Sequence, residues 1–242
     1  MSTFKNFQLL ATLLLVTVFQ FSVTAQKGDV LLTNSATFEV DQYKDIDGSP
    51  YLFEEWQLGK VISKEKDKDV EMEYLLNFNG YTKSFEVRKD QQFITLDEQY
   101  YSEIRVADPS GDATKTKVFK TNAHPIYKNR FMQVVFEGTD FVVLHDFQQR
   151  LNEREVQAYA GNKKMQEFTD NSTYHVIRDN KAKAFKTKKK SLLGAFKDQE
   201  GALKNYIKKN KLKIDDEKEL IAFLRFYEGL NHPESPLALQ EK

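Results

Sequence analysis

Six lysines crowd into ten residues: Lys181, Lys183, Lys186, Lys188, Lys189 and Lys190. Ammonium groups at that density make a surface for anions: the phosphates of acidic lipids or lipopolysaccharide, or the carboxylates of an acidic protein. No Arg stands between 181 and 213 to grip phosphates or base edges with a bidentate fork, so nucleic acid is not expected as a partner. A plainer reading competes with this one. Lysines alternating with Ala182, Ala184 and Phe185 also suit a solvated edge strand, where they discourage edge-to-edge pairing.

The other reactive residue types are dispersed. With no Cys, the chain has no disulfide, thiol nucleophile, zinc–thiolate site or iron–sulfur cluster. The four histidines, His124, His145, His175 and His232, show no metal-ligand spacing in sequence, and His145 and His175 read as structural. His145 and Asp146 are neighbours, so on a strand they point to opposite faces and cannot form a dyad. Asp45, Asp47, Gly48 and Glu54 imitate part of a calcium loop, but Tyr43 would stand at the first ligand and Pro50 at the eighth position. That segment reads as a polar turn. No G-x-S-x-G, H-E-x-x-H, Walker A or G-x-G-x-x-G occurs. No catalytic residue, cofactor or metal ligand is therefore assigned. The chain reads as non-enzymatic, with an enzyme of dispersed site as the remote alternative. Tyr51, Phe53 and Trp56 form an aromatic cluster that could line a ligand groove; the favoured reading is that it plugs a barrel end or seals an edge.

These residues need elements to hold them. Between residues 26 and 190 the pattern is that of strands. Val70, Met72, Tyr74, Leu76 and Phe78 alternate with wetter residues and run into Asn79-Gly80, the pair favoured by a two-residue type I′ turn. That turn would set Phe78 against Tyr81, Tyr74 against Phe85 and Met72 against Val87, and would also oppose Glu73 to Glu86. A second hairpin is expected over Phe131–Phe147 around Gly138-Thr139, apolar on both faces and hence central in its sheet. Shorter strands are expected at Leu58–Ser63, Gln92–Leu96, Ser102–Val106, Lys117–Thr121, Glu153–Tyr159, Thr173–Arg178 and Ala182–Thr187. Turn residues separate them, as at Asp108-Pro109-Ser110-Gly111. The fold class is mainly β with C-terminal helices (α+β): an antiparallel meander, an open or half-closed barrel.

The pattern changes after Lys190. Leu192, Leu193 and Phe196 begin a helical turn, Asp198 is placed to cap a helix carrying Leu203, Tyr206 and Ile207, and Asp215 or Asp216 a second carrying Leu220, Phe223, Leu224 and Tyr227. Gly229 reads as the stop. These two amphipathic helices, over 191–230, must pack on the sheet, and residues 231–242 form a loose tail. Zero net charge hides an uneven distribution: residues 181–213 carry twelve Lys against two acids, a net +10.

Residues 1–25 read as a cleaved signal peptide. Lys5 precedes an apolar run from Leu9 to Phe21, too short to span a bilayer, and Val23-Thr24-Ala25 offers the small-x-small cleavage spacing. With no Cys after the run there is no lipid anchor. Export to a bacterial periplasm, or otherwise to the cell exterior, is expected, with no transmembrane segment in the mature chain.

Two stretches carry a resemblance. Gly48-Ser49-Pro50-Tyr51-Leu52 leads into Gly59-Lys60-Val61, then Tyr74-Leu75-Leu76-Asn77-Phe78-Asn79 before Phe85-Glu86-Val87; the tail runs Leu192-Leu193, Phe196 and Leu203 to Lys213. Together they resemble uncharacterised exported proteins of Bacteroidota with a β-domain and a two-helix C-terminal tail. The resemblance implies a Gram-negative envelope location and brings no activity or site residues. The reading that follows is an exported envelope protein binding a protein or amphipathic ligand in a concavity of the sheet. The alternative is an assembly partner of an outer-membrane complex, docking through the basic stretch and helical tail.

Overall fold

Alternating apolar residues build the sheet. The computed structural model describes residues 37–38, 42–64, 70–89, 92–107, 116–158 and 161–237. The expected signal peptide, the turn at Asp108–Gly111 and the end of the tail lie outside the described residues. The strands are β1 (Thr37–Phe38), β2 (Gln57–Ser63), β3 (Val70–Asn79), β4 (Ser84–Lys89), β5 (Gln92–Thr95), β6 (Tyr101–Val106) and β7 (Lys117–Lys120), followed by β8 (Met132–Glu137), β9 (Val142–Asp146), β10 (Gln149–Ala158), β11 (Gly161–Asp170), β12 (Thr173–Arg178) and β13 (Lys181–Phe185). Eleven form one antiparallel sheet in the order β1-β5-β4-β3-β2-β6-β7-β8-β9-β12-β13, and β10 pairs with β11 alone. The expected meander is present as three runs, β2–β5, β6–β9 and β12–β13, with β2 stitched to β6. The sheet does not close into a barrel.

Registers show that one face is shared across the sheet. Met72, Val61, Ile104, Phe119, Gln133, His145, Tyr174 and Phe185 stand opposite one another from strand to strand. On this inner face the Phe119 ring meets Phe85 at 4.9 Å and Phe78 at 5.8 Å between centroids, although β7 and β3–β4 are separated by two strands in the sheet order. The sheet is curved enough to bring them together, and Phe131 joins at 5.1 Å from Phe85. The chain's own rings thus occupy the concave side.

The β3–β4 connection departs from the sequence expectation. Asn79 remains in the strand opposite Ser84, and Phe78 faces Phe85 and Leu76 faces Val87. The loop is Gly80–Lys83, with positive φ at Lys83 instead of at Asn79 and Gly80. Asn79 closes it by accepting from the Tyr81 and Thr82 amides. The four-residue shift is even, so every side chain keeps its face. It also removes the Glu73–Glu86 opposition: Glu73 now faces Lys60 and Glu86 faces Asn77. Gly80 serves close packing, since a Cβ there would lie 2.5 Å from the Phe147 ring.

The other strands fall near their expected places, and the Phe131–Phe147 hairpin is central as its two apolar faces require, with a bulge at Val134/Phe136. The strand expected at Glu153–Tyr159 starts earlier, at Gln149, and pairs with β11, which the sequence reading did not assign. Polar residues dominate both, so neither shows a buried period-two face.

Three helices follow β13: α1 (Lys189–Ala195), α2 (Glu200–Asn210) and α3 (Glu217–Asn231), with a 3-10 turn at Lys197–Gln199. Asp216 caps α3, accepting from the Lys218 and Glu219 amides, as expected. Asp198 does not cap α2. It sits in the 3-10 turn and accepts from Tyr227 Oη at 2.5 Å and from Arg178 Nη1 at 3.3 Å. Gly229 does not stop α3, which runs on to Asn231. Leu192, Phe196, Leu203, Leu220, Phe223 and Leu224 are all fully buried and form one core with Val143, Tyr174, Val176 and Phe185 of the sheet. Arg178 lies over the rings of Phe141, Phe196 and Tyr227, 5.5, 4.9 and 4.6 Å from their centroids, and pins the β12–β13 hairpin to the helices.

Candidate anion-binding cleft

Helix α1 and the first turn of α2 lie at an angle that the buried Leu192, Leu193, Phe196 and Leu203 fix from beneath. Their exposed sides enclose a cleft of about 470 Å³ lined by Lys189, Lys190, Leu193, Gly194, Lys197, Glu200 and Lys204. Four ammonium groups thus face one carboxylate. Glu200 is the first residue of α2, whose N-cap, Gln199, makes no side-chain capping bond. The positive end of the helix dipole therefore adds to the lysines. A second cleft of about 320 Å³ adjoins it across Lys197, lined by Val176, Arg178, Asp179, Lys181, Lys183, Ala195, Lys197 and Asp198. Its balance is nearer neutral, because Arg178 pairs with Asp198 at 3.3 Å.

The six lysines singled out in the sequence divide by environment. Lys189 and Lys190 line the first cleft and Lys181 and Lys183 the second. Lys183 Nζ also donates to the Gly194 carbonyl near the end of α1. Lys186 turns away and donates to the carbonyls of Asn171, at 3.2 Å, and Ser172. Lys188 is the N-cap residue of α1. Strand β13 is the edge of the sheet, so the edge-protection reading of its lysines fits too. Lys197 and Lys204 join the first cleft from outside the six. An i, i+7 relation could have flagged them, but only the chain reversal at the 3-10 turn brings them beside Lys189 and Lys190.

The aromatic cluster lies on the opposite face of the sheet from Phe78 and Phe85, over β3–β5. Trp56 stacks on Phe93 at 4.6 Å, Tyr51 Oη donates to Glu86 Oε2 at 2.7 Å, and the Phe53 backbone exchanges two hydrogen bonds with the Asn77 side chain. Asn79 Nδ2 donates to Glu86 Oε1 at 2.7 Å. Burial raises the Glu86 pKa, and burial together with the adjacent carboxylate raises that of Tyr51. The arrangement is a cover over a satisfied buried acid.

His145 is buried on the inner face, stacked 4.2 Å from Tyr174. The Gln133 amide donates to Glu217 Oε2 at 3.1 Å, so its oxygen must accept, and His145 Nδ1 carries the proton across 3.2 Å. Asp146 points to the other face and pairs with Arg130. Tyr127 Oη and His175 Nδ1 lie 2.8 Å apart. Asp47, in the calcium-like segment, pairs with Arg154 at 3.2 Å and belongs to a turn with Gly48 at positive φ. Among the described residues one set of donors is spaced for a metal ion: Asp140, Glu228 and His232.

Among the described residues no helix is long and apolar enough to cross a membrane. Compared with known proteins, the chain matches no family model, no curated protein and no solved structure.

Proposed function

We propose that this chain is an exported, non-catalytic binding protein that docks on an anionic envelope surface, the phosphates of acidic lipid or lipopolysaccharide. The observation that carries the reading is the convergence of Lys189, Lys190, Lys197 and Lys204 on one cleft that holds a single carboxylate. Lysine supplies compact point charges suited to phosphate without base or sequence readout. The concave face is filled by Phe78, Phe85 and Phe119, so the reading rests on the lysine face and not on a ligand inside the sheet. Docking through a detachable helical tail draws no support either, because the helices share the core with β9, β12 and β13.

The test is co-sedimentation with vesicles of phosphatidylglycerol and phosphatidylethanolamine, against phosphatidylcholine alone. Binding to the anionic vesicles is expected to fall steeply with salt. At about 1 kcal/mol per lysine near an anionic surface, changing Lys189, Lys190, Lys197 and Lys204 together to Gln should abolish most of it. Binding that ignores salt, or that survives the four substitutions, would end this reading.

A further inference from the structure

We infer that Asp140, Glu228 and His232 form a binding site for a divalent transition metal such as Zn2+, clamping the end of α3 to the β8–β9 turn. One oxygen of each carboxylate and a ring nitrogen of His232 lie within 4.8 Å of one another. Glu228 and His232 are four residues apart at the end of α3, a spacing that stacks side chains on one helix face. Asp140 comes from the Gly138–Phe141 turn, nearly ninety positions away in sequence, which is why no local motif announces the set.

The state of Glu228 is what points to a cation. The residue is fully buried, and its Oε1 accepts from the Thr139 amide at 3.1 Å and from the Thr139 hydroxyl. Its other oxygen, Oε2, is buried and accepts no hydrogen bond among the described residues. An unpaired carboxylate oxygen away from water is costly unless a cation or donor meets it. Gly138 makes room for it: a Cβ there would lie 2.7 Å from Oε2. The last turn of α3 carries no Lys or Arg to fill that role, and the open carbonyls of a helix C-terminus favour positive charge.

His232 stands at ion-pair distance from Asp140 without a hydrogen bond between them. Its Nε2 lies 3.3 Å from Asp140 Oδ2 yet is not aligned for a hydrogen bond to it or to any other described group. Two donors in a coordination shell converge on a third point instead of on each other. Tetrahedral bonds of about 2.0–2.1 Å place adjacent donors about 3.3 Å apart, the spacing of His232 Nε2 and Asp140 Oδ2; the Glu228 oxygen completes the set within 4.8 Å. An imidazole with two carboxylates selects a transition metal over Ca2+ or Mg2+, which take oxygen ligands. Three protein ligands leave the fourth position for water, and Asp140, exposed, opens that side to solvent.

The test is calorimetric titration of the purified protein with Zn2+, with Ca2+ as control, together with thermal unfolding. One equivalent of Zn2+ should bind and raise the melting temperature, and Ca2+ should not. Asp140→Asn and His232→Gln should each weaken Zn2+ binding by at least about tenfold. Glu228→Gln is the discriminating variant. Its amide oxygen can keep both Thr139 contacts while the unpaired buried carboxylate oxygen is removed, so the metal-free protein should melt no lower than wild type, while the response to Zn2+ disappears. Wild-type protein that binds no Zn2+, or variants that bind it as tightly as wild type, would overturn the assignment.

Discussion

At His145 a single buried imidazole is expected to couple stability to pH on the acid side. Burial against Tyr174 lowers its pKa from 6.5 to about 4, because the charged ring would lose its water. The unfolded chain therefore takes the proton first. Stability from the neutral ring is complete above pH 6.5 and is lost as pH falls from there toward 4, by about 3 kcal/mol in all. Urea unfolding of His145→Gln, which retains an amide donor for Gln133, should show a shallower loss between pH 7 and 4 than wild type. Equal slopes would mean that the ring is not held neutral. At this scale the sequence was informative about type and poor about company. His145 read as structural, and Lys189 and Lys190 read as part of a cationic surface. Lys197 and Lys204 were hidden because a cleft is assembled by chain reversal, and the Asp140–Glu228–His232 set because two elements far apart in sequence must meet.

Elements were legible where their side chains repeat and less so where connections decide geometry. The central hairpin announced itself because both its faces are apolar, and Asp216 because an acid ahead of an amphipathic run has little else to do. The β3–β4 register was misread because Asn79-Gly80 serves a different end, and the opposed Glu73 and Glu86 were the warning. Strand β11 escaped notice because its pairing with β10 buries little beyond Phe168, which is 8% exposed. Asp198 was misassigned because Tyr227 and Arg178 claim its carboxylate. Two glycines make the distinction testable. Gly80→Ala drives a methyl to 2.5 Å from Phe147 and 3.0 Å from the Gln149 amide nitrogen, and should destabilise by about 1–3 kcal/mol. Gly201 in α2 has open space around its Cβ position. Gly201→Ala should stabilise by up to about 1 kcal/mol through helix propensity alone. Denaturation midpoints of the pair should move in opposite directions; a stable Gly80→Ala would mean that the Phe147 ring yields and that close packing does not require glycine at this position.

For the molecule as a whole, the sheet and helices stand or fall together. The inner face of β9, β12 and β13 presents Val143, Tyr174, Val176 and Phe185, and these are covered by six fully buried side chains from α1 to α3 and the turn between α1 and α2. Burying such a side chain contributes about 1.5–3 kcal/mol. The six together are therefore of the same order as the entire stability of an ordinary domain, about 5–15 kcal/mol. Ending the chain at Lys190 should leave no cooperative thermal transition and should expose a surface that binds hydrophobic dyes, even though every strand is still present. Phe223→Ala, with a fully buried ring, should lower stability by about 3–5 kcal/mol while the fold persists. A truncated chain that still unfolds cooperatively, with native near-ultraviolet circular dichroism, would make the helices a detachable module and return the lysine cleft to a mobile tail. If it collapses as expected, α1 and α2 are fixed to the sheet, and the four lysines meet an anionic surface already arranged.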